Sequence, residues 1–277
     1  MTDEQKIWAV KLCESILSEA PEGAYGETMG AVIAFLQTCE ETPPPDAALL
    51  ETAGKLMEAD KTEPMLPGAG KFIEFVYTDA AEGGDVDAAN SLGCYYYTGR
   101  GSEQNYDKAE KYYTIAAAKG HPYAAENLGY IYYYGRTAAP DYEKAFLWFA
   151  KGAFYGMPRS LYKIGDMYRY GKFVAADGIT ALRIYEKALH SMSDEQMREA
   201  GADVFLRLAD CHWEGIGTEV NADLALTLYQ QAERLFTARL REGDFLIRKS
   251  YEKCVQRQAV VRAAVQATLP GFDWAES

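Results

Sequence analysis

The sequence predicts an all-α protein. Helical hairpins stack into a solenoid, with a helical extension before them and a capping helix after them. Three observations carry this prediction. A motif recurs in phase along the middle of the chain, glycine and aspartate punctuate it where helices would end and begin, and small and aromatic residues fall between at helical spacing. With 277 residues, 48% of them apolar and 25% charged, the chain has ordinary globular composition and is long enough for a sizeable core.

Taken in order, residues 3–19, 25–41 and 46–60 read as three helices, broken at Pro21-Glu22-Gly23 and Pro43-Pro44-Pro45. Residues 61–70 carry two prolines and two glycines and read as a linker. Residues 69–82 read as the lone second helix of a degenerate leading unit, ending at Gly83-Gly84. The repeats follow. Ala88-Ala89-Asn90-Ser91-Leu92-Gly93-Cys94-Tyr95-Tyr96 aligns without gaps on Ala124 to Tyr132 and on Ser160 to Tyr168 at a 36-residue period, and a fourth copy lies 44 residues further on, around Leu208 to Gly215.

Each unit reads as two helices. The first carries residues such as Ala89, Leu92, Gly93 and Tyr96 on one stripe and ends at a glycine, which tolerates the left-handed backbone of a C-cap. Asp107, Asp141, Asp177 and Asp223 mark the start of the second, where a carboxylate complements exposed amides. Lys108-Ala109, Lys144-Ala145, Thr180-Ala181 and Leu224-Ala225 share one place in that helix, and Tyr113, Phe149, Tyr185 and Tyr229 share another. Such units cannot bury their apolar faces alone, so neighbours stack.

These residues resemble the Sel1-like repeat, a 36–44-residue relative of the tetratricopeptide repeat. The segment Tyr123 to Gly156, with Trp148, fits the pattern best, and the likeness covers about residues 70–238. It implies a right-handed superhelix. The fourth unit departs from the pattern, with Ala209 at the motif glycine and His212 at a motif tyrosine. Eight extra residues within Ser191 to Ala202 predict a longer loop or a lengthened helix. Residues 239–268 read as one long helix with a stripe through Phe245, Tyr251, Val255, Val261 and Val265. The chain thus divides into an extension (1–68), the repeats (69–238), and a cap with a tail (239–277).

Charge narrows the function classes. With 28 basic and 41 acidic residues the net charge is −13, which argues against nucleic acid and anionic lipid as partners. Residues 1–70 alone carry −9, from 4 Lys and 13 acids, and residues 239–277 carry +2. No apolar run approaches the ~20 residues of a membrane span. The opening Met-Thr-Asp-Glu does not resemble a signal peptide, so a cytoplasmic protein is expected. Cys13, Cys39, Cys94, Cys211 and Cys254 show neither disulfide nor metal spacing and read as reduced, mostly buried thiols. The regular cysteine pairs of some secreted Sel1-like proteins linked to β-lactam binding are missing, so that function does not carry over.

The resemblance implies a concave surface lined by the first helix of each unit. Positions 87, 90, 91, 94, 97 and 98, with their copies, fall there. The expected partner-binding residues are Tyr97, Asn127, Tyr130, Tyr133, Tyr134, Arg159, Lys163, Arg169, Tyr170, Arg207 and Trp213. Tyrosine and tryptophan give contact area with a polar handle, although solenoid tyrosines also serve only to pack helices. Asn127, Arg159, Lys163 and Arg207 are similar in type to the residues with which some tetratricopeptide domains hold a partner's terminal carboxylate. Ser91 stands where a further Asn would complete that set, and the bland alternative pairs Arg159 and Lys163 with Glu126 or Asp166.

Enzyme signatures are weak. The three histidines, His121, His190 and His212, have no metal-site spacing, and His212 reads as a core residue. Gly99-Arg100-Gly101 and Gly215-Ile216-Gly217 follow helices and read as turns, and Asp166 and Asp210 lie too far apart for paired-carboxylate chemistry. The sequence therefore points to a non-catalytic adaptor without cofactor or metal, gripping a protein or peptide of unknown identity. The alternatives are a homo-oligomer using the aromatic face and a small-ligand or enzyme site between the N-terminal region and the solenoid.

Overall fold

The structure is a computed structural model that describes residues 1–18, 32, 35, 39, 44–59, 68–99 and 101–268. Every regular element among them is helical. The chain divides into two compact units, Met1–Pro140 and Asp141–Ser277.

The first unit holds α1 (Asp3–Ser18), α2 (Asp46–Ala59), α3 (Ala69–Glu82), α4 (Val86–Thr98), α5 (Tyr106–Ala118) and α6 (Pro122–Tyr134). α1 and α2 both pack on α3. Ala9, Cys13 and Ile16 of α1, Leu49, Ala53 and Leu56 of α2, and Phe72, Ile73 and Val76 of α3 are all buried. The i, i+4, i+7 spacing of the first two sets and the i, i+1, i+4 spacing of the third put each on one helix stripe. The helix expected over 25–41 lies almost wholly outside the described residues, as does the expected linker up to residue 67. The end of that linker is already helical, because α3 starts at Ala69 after Gly68 at φ 83°.

The second unit holds α7 (Tyr142–Phe154), α8 (Pro158–Tyr170), α9 (Gly178–His190), α10 (Ala202–Glu214), α11 (Ala222–Arg241) and α12 (Arg248–Thr268). A short turn, Asp194–Gln196, and a π-helical segment, Met197–Gly201, run directly into α10. The eight inserted residues thus lengthen a helix rather than a loop, and Ser193 and Gln196 close its start with a capping box.

The repeat punctuation has a physical cause at each end. α4, α6, α8 and α10 stop at Gly99, Gly135, Gly171 and Gly215, whose φ values of 69°, 61°, 64° and 69° lie in the left-handed region. Asp141 and Asp177 cap α7 and α9 through their side chains, as the sequence implies. For α5 and α11 the capping residues are instead Asn105 and Asn221, two places before Asp107 and Asp223, which sit in the first turn. His121 caps α6 by accepting the Ala124 amide on Nδ1 at 3.2 Å.

The motif glycine marks a close approach. A Cβ on Gly93 would stand 2.5 Å from the ring of Tyr113, and one on Gly165 would stand 2.5 Å from that of Tyr185. In these two repeats the aromatic of the second helix therefore lies directly on the backbone of the first.

The C-terminal flank differs from its expectation. α11 continues to Arg241, a turn follows, and a 3-10 segment, Phe245–Ile247, leads into α12. Gly243 at φ 88° allows the turn, and Asp244 fixes it by accepting from Arg239 at 2.7 Å. Phe245 is consequently 57% exposed and leaves the expected stripe. The buried line is Ile247, Cys254 and Val261, packed with Tyr229 and Phe236 of α11, while Tyr251 and Val265 flank it.

Candidate functional site

In the second unit the first-helix face is an ionic ladder. Arg207 of α10 donates through Nε and Nη2 to both oxygens of Asp166 on α8, at 2.7 and 2.8 Å. Lys163 lies 3.5 Å from the same carboxylate, and Tyr185 of α9 donates to it at 2.8 Å. One repeat on, Tyr229 of α11 donates to Asp210 at 2.7 Å. Asp210 also faces Arg169 of α8 at 3.5 Å, and Lys253 and Arg257 of α12 at 3.4 and 3.2 Å. Glu214 accepts from Arg169 at 2.8 Å and pairs with Arg257. Ion pairs therefore link α8 to α10 and α10 to α12.

Burial alone would raise the Asp166 carboxyl, but Arg207 and Lys163 hold it below its usual value. Burial opposes ionisation of Glu214 too, and Arg257 and Arg169 again win. Both carboxylates are charged at neutral pH.

This ladder walls a polar pocket of about 120 Å³. Asp166, Asp203 and Asp210 face Arg169, Arg207 and Lys253 around it, so the charges balance, and Ser250 adds a hydroxyl. The Arg169 side chain is only 6% exposed, and its Nε has no acceptor. Tyr170 stands beside it, 55% exposed, with the Arg169 guanidinium 5.2 Å from its ring centre. The site can accept a hydrogen-bonding group and shield it from water.

The first unit carries an aromatic counterpart. Tyr130 and Tyr134 stack at 6.1 Å, and Tyr133 meets Tyr134 edge-on at 5.1 Å. Tyr97 packs on Tyr106 at 5.3 Å. Arg136 lies over three of these rings, 6.0 Å from Tyr97, 5.5 Å from Tyr106 and 5.3 Å from Tyr134. Tyr134 stays 48% exposed. Asn127 is half-buried, its Nδ2 4.0 Å from Cys94 Sγ, and Tyr113 donates to the same sulfur.

Within the second unit, the structure brings together Lys163, Arg169, Tyr170 and Arg207. Lys163 and Arg207 are both engaged by Asp166, the bland pairing weighed for Lys163, so neither presents a bare charge. Arg159 is directed elsewhere and donates to the Glu199 carbonyl at 3.3 Å. Trp213 is half-buried against the core formed by α10, α11 and α12. His212 is half-buried with no acceptor or donor at its buried Nδ1.

Sequence reasoning missed Lys253, Arg257 and Arg136. The first two lie beyond the last repeat, where no register predicts their face. Arg136 follows a C-cap glycine, and only its position after a Tyr133-Tyr134 pair hints at ring contact.

The Sel1 repeat family profile matches residues 86–121, 122–153, 158–190 and 206–235. The chain belongs to the Sel1 repeat family. Sel1 repeat proteins generally mediate protein–protein interaction and are typically non-catalytic scaffolds. Among solved structures, this Sel1 repeat chain is similar to a Sel1 repeat protein from Oxalobacter formigenes, with 23% identity, a TM-score of 0.57, and coverage of 82% of this chain and 84% of that one. It is also similar to c5321, a protective antigen of uropathogenic Escherichia coli strains displaying an SLR fold, with 24% identity, a TM-score of 0.50, and coverage of 83% of this chain and 56% of that one. These likenesses concern the fold. No curated protein matches the chain. No described helix is long and apolar enough to cross a membrane.

Proposed function

We propose that this Sel1 repeat protein is a non-catalytic adaptor that holds a segment of another protein on the face of its first helices. One observation carries the reading. Tyr95, Tyr113, Tyr185 and Tyr229 are fully buried, whereas Tyr134 and Tyr170 on the first helices remain about half exposed beside Arg136 and Arg169. Exposed tyrosine beside a guanidinium is the composition of interface hot spots rather than of a solvated face. In the second unit the pocket supplies a polar anchor next to Tyr170, through Lys253, Ser250 and the unpartnered Arg169 Nε. In the first, Tyr130 and Tyr133 pack on the exposed Tyr134, and Arg136 lies over both Tyr134 and Tyr97.

The test is affinity capture from native lysate with wild type, Tyr134→Ala/Tyr170→Ala, and Leu147→Ala/Ile179→Ala, the last pair being equally exposed on second helices. The reading expects one discrete partner, lost only in the tyrosine variant at unchanged thermal stability. A partner retained by the tyrosine variant, or lost equally in both, contradicts it.

A further inference from the structure

We propose that the groove between α1 and α3 is a second docking surface, built for a lysine- or arginine-bearing segment of another protein. The groove lies within the first unit and encloses about 410 Å³. Its floor is aromatic: Trp8 of α1 meets Phe75 of α3 at 4.7 Å between ring centres and remains 46% exposed. Its rim is acidic. Glu74, Asp79 and Glu82 line it against a single base, Lys71. Lys71, Glu74, Phe75, Asp79 and Glu82 fall at i, i+3, i+4, i+8 and i+11 of α3, so they form one continuous face.

Aromatic faces and carboxylates attract the same ligand, a cationic side chain with an alkyl stem. The stem covers the rings and the charge reaches the rim. Two of the carboxylates have internal contacts. Glu74 accepts from Tyr96 and lies 3.6 Å from Lys108, and Asp79 lies 3.1 Å from the terminal amine of Met1. Glu82 is exposed at the end of α3.

Charge complementarity selects the occupant. Residues 1–140 carry 10 basic and 22 acidic side chains, a net −12, while residues 141–277 carry 18 and 19, a net −1. The net negative charge of the sequence is thus concentrated in residues 1–140, the unit that holds this groove. Two copies meeting groove to groove would set like charges together, and an acidic or anionic partner would be repelled.

The test uses the full chain with Trp148→Phe, Trp213→Phe and Trp274→Phe, so that Trp8 emission reports on the groove. The probe is an octa-arginine peptide. The proposal expects a saturable change in Trp8 emission. It expects affinity to fall about tenfold in Glu82→Lys, and in Trp8→Ala by direct titration calorimetry, but only about twofold in Glu219→Lys, an equal charge change in the second unit. Glu82→Lys is a surface change that leaves the core intact, so the test does not depend on Trp8→Ala folding. Equal weakening by Glu219→Lys, or a silent Trp8, overturns the proposal. So does a dimer that forms with rising concentration and is lost in Glu82→Lys, because a second copy would then be the occupant. Neither tyrosine in the capture experiment above touches this groove, so the two readings fail separately.

Discussion

Arg207 grips both carboxylate oxygens of Asp166 from the neighbouring repeat, at 2.7 and 2.8 Å, while the Tyr185 hydroxyl donates to the same carboxylate from behind. Removing Arg207 takes the two-pronged donor from the buried Asp166 carboxylate and leaves it facing Lys163 at 3.5 Å. Arg207→Met is expected to cost about 3–5 kcal/mol, and Asp166→Leu/Arg207→Met to recover most of that loss. Urea unfolding of the two variants checks this, and a double variant as unstable as the single one would show that the pair itself stabilises the repeats.

The same ladder sets the acid behaviour. Asp166 and Glu214 have carboxyls held below their usual values of 3.8 and 4.5. As pH falls, the unfolded chain takes up these protons first. The stabilisation is therefore complete above about pH 5 and is lost as pH drops through the lower, folded values. Unfolding midpoints between pH 3 and 7 should show a steeper acid limb for wild type than for Asp166→Asn.

His121 acts in the opposite sense. Burial lowers its pKa from the usual 6.5 despite Asp87 at 3.3 Å, and its Nδ1 must stay unprotonated to cap α6. The folded state favours neutral imidazole, so stability should decline as pH falls below about 6.5. His121→Asn keeps a capping oxygen without the titration and should flatten that decline. An unchanged slope between pH 5 and 7 would assign it to another group.

Gly165→Ala is expected to destabilise the second unit by about 1–3 kcal/mol, because the new Cβ meets the Tyr185 ring at 2.5 Å in a filled core. Thermal melting reads this directly, and Gly165→Ala with Tyr185→Leu should restore part of the loss.

The repeats were legible because packing repeats. The glycines under Tyr113 and Tyr185, the αL glycines and the Asp141 and Asp177 caps follow from the 36-residue register, and the insertion before α10 showed as a break in it. The ionic ladder was only half legible. Arg207, Lys163 and Arg169 stood out as first-helix cations, but Asp166 and Asp210, read as an unproductive acid pair, proved to be the acceptors that bind those cations into the fold. Their partners Lys253 and Arg257 lie outside the register. The turn at Gly243 was missed because Arg239 and Asp244 fix it through side chains five residues apart, a spacing that helical periodicity does not reveal.

The most direct test of the adaptor account is photo-crosslinking in living cells, with benzoylphenylalanine placed in turn at Tyr134, at Tyr170 and at the control position Leu147. The account predicts one protein joined to both tyrosine positions and absent from Leu147. No discrete adduct at either tyrosine position, or the same adduct at Leu147, would contradict it.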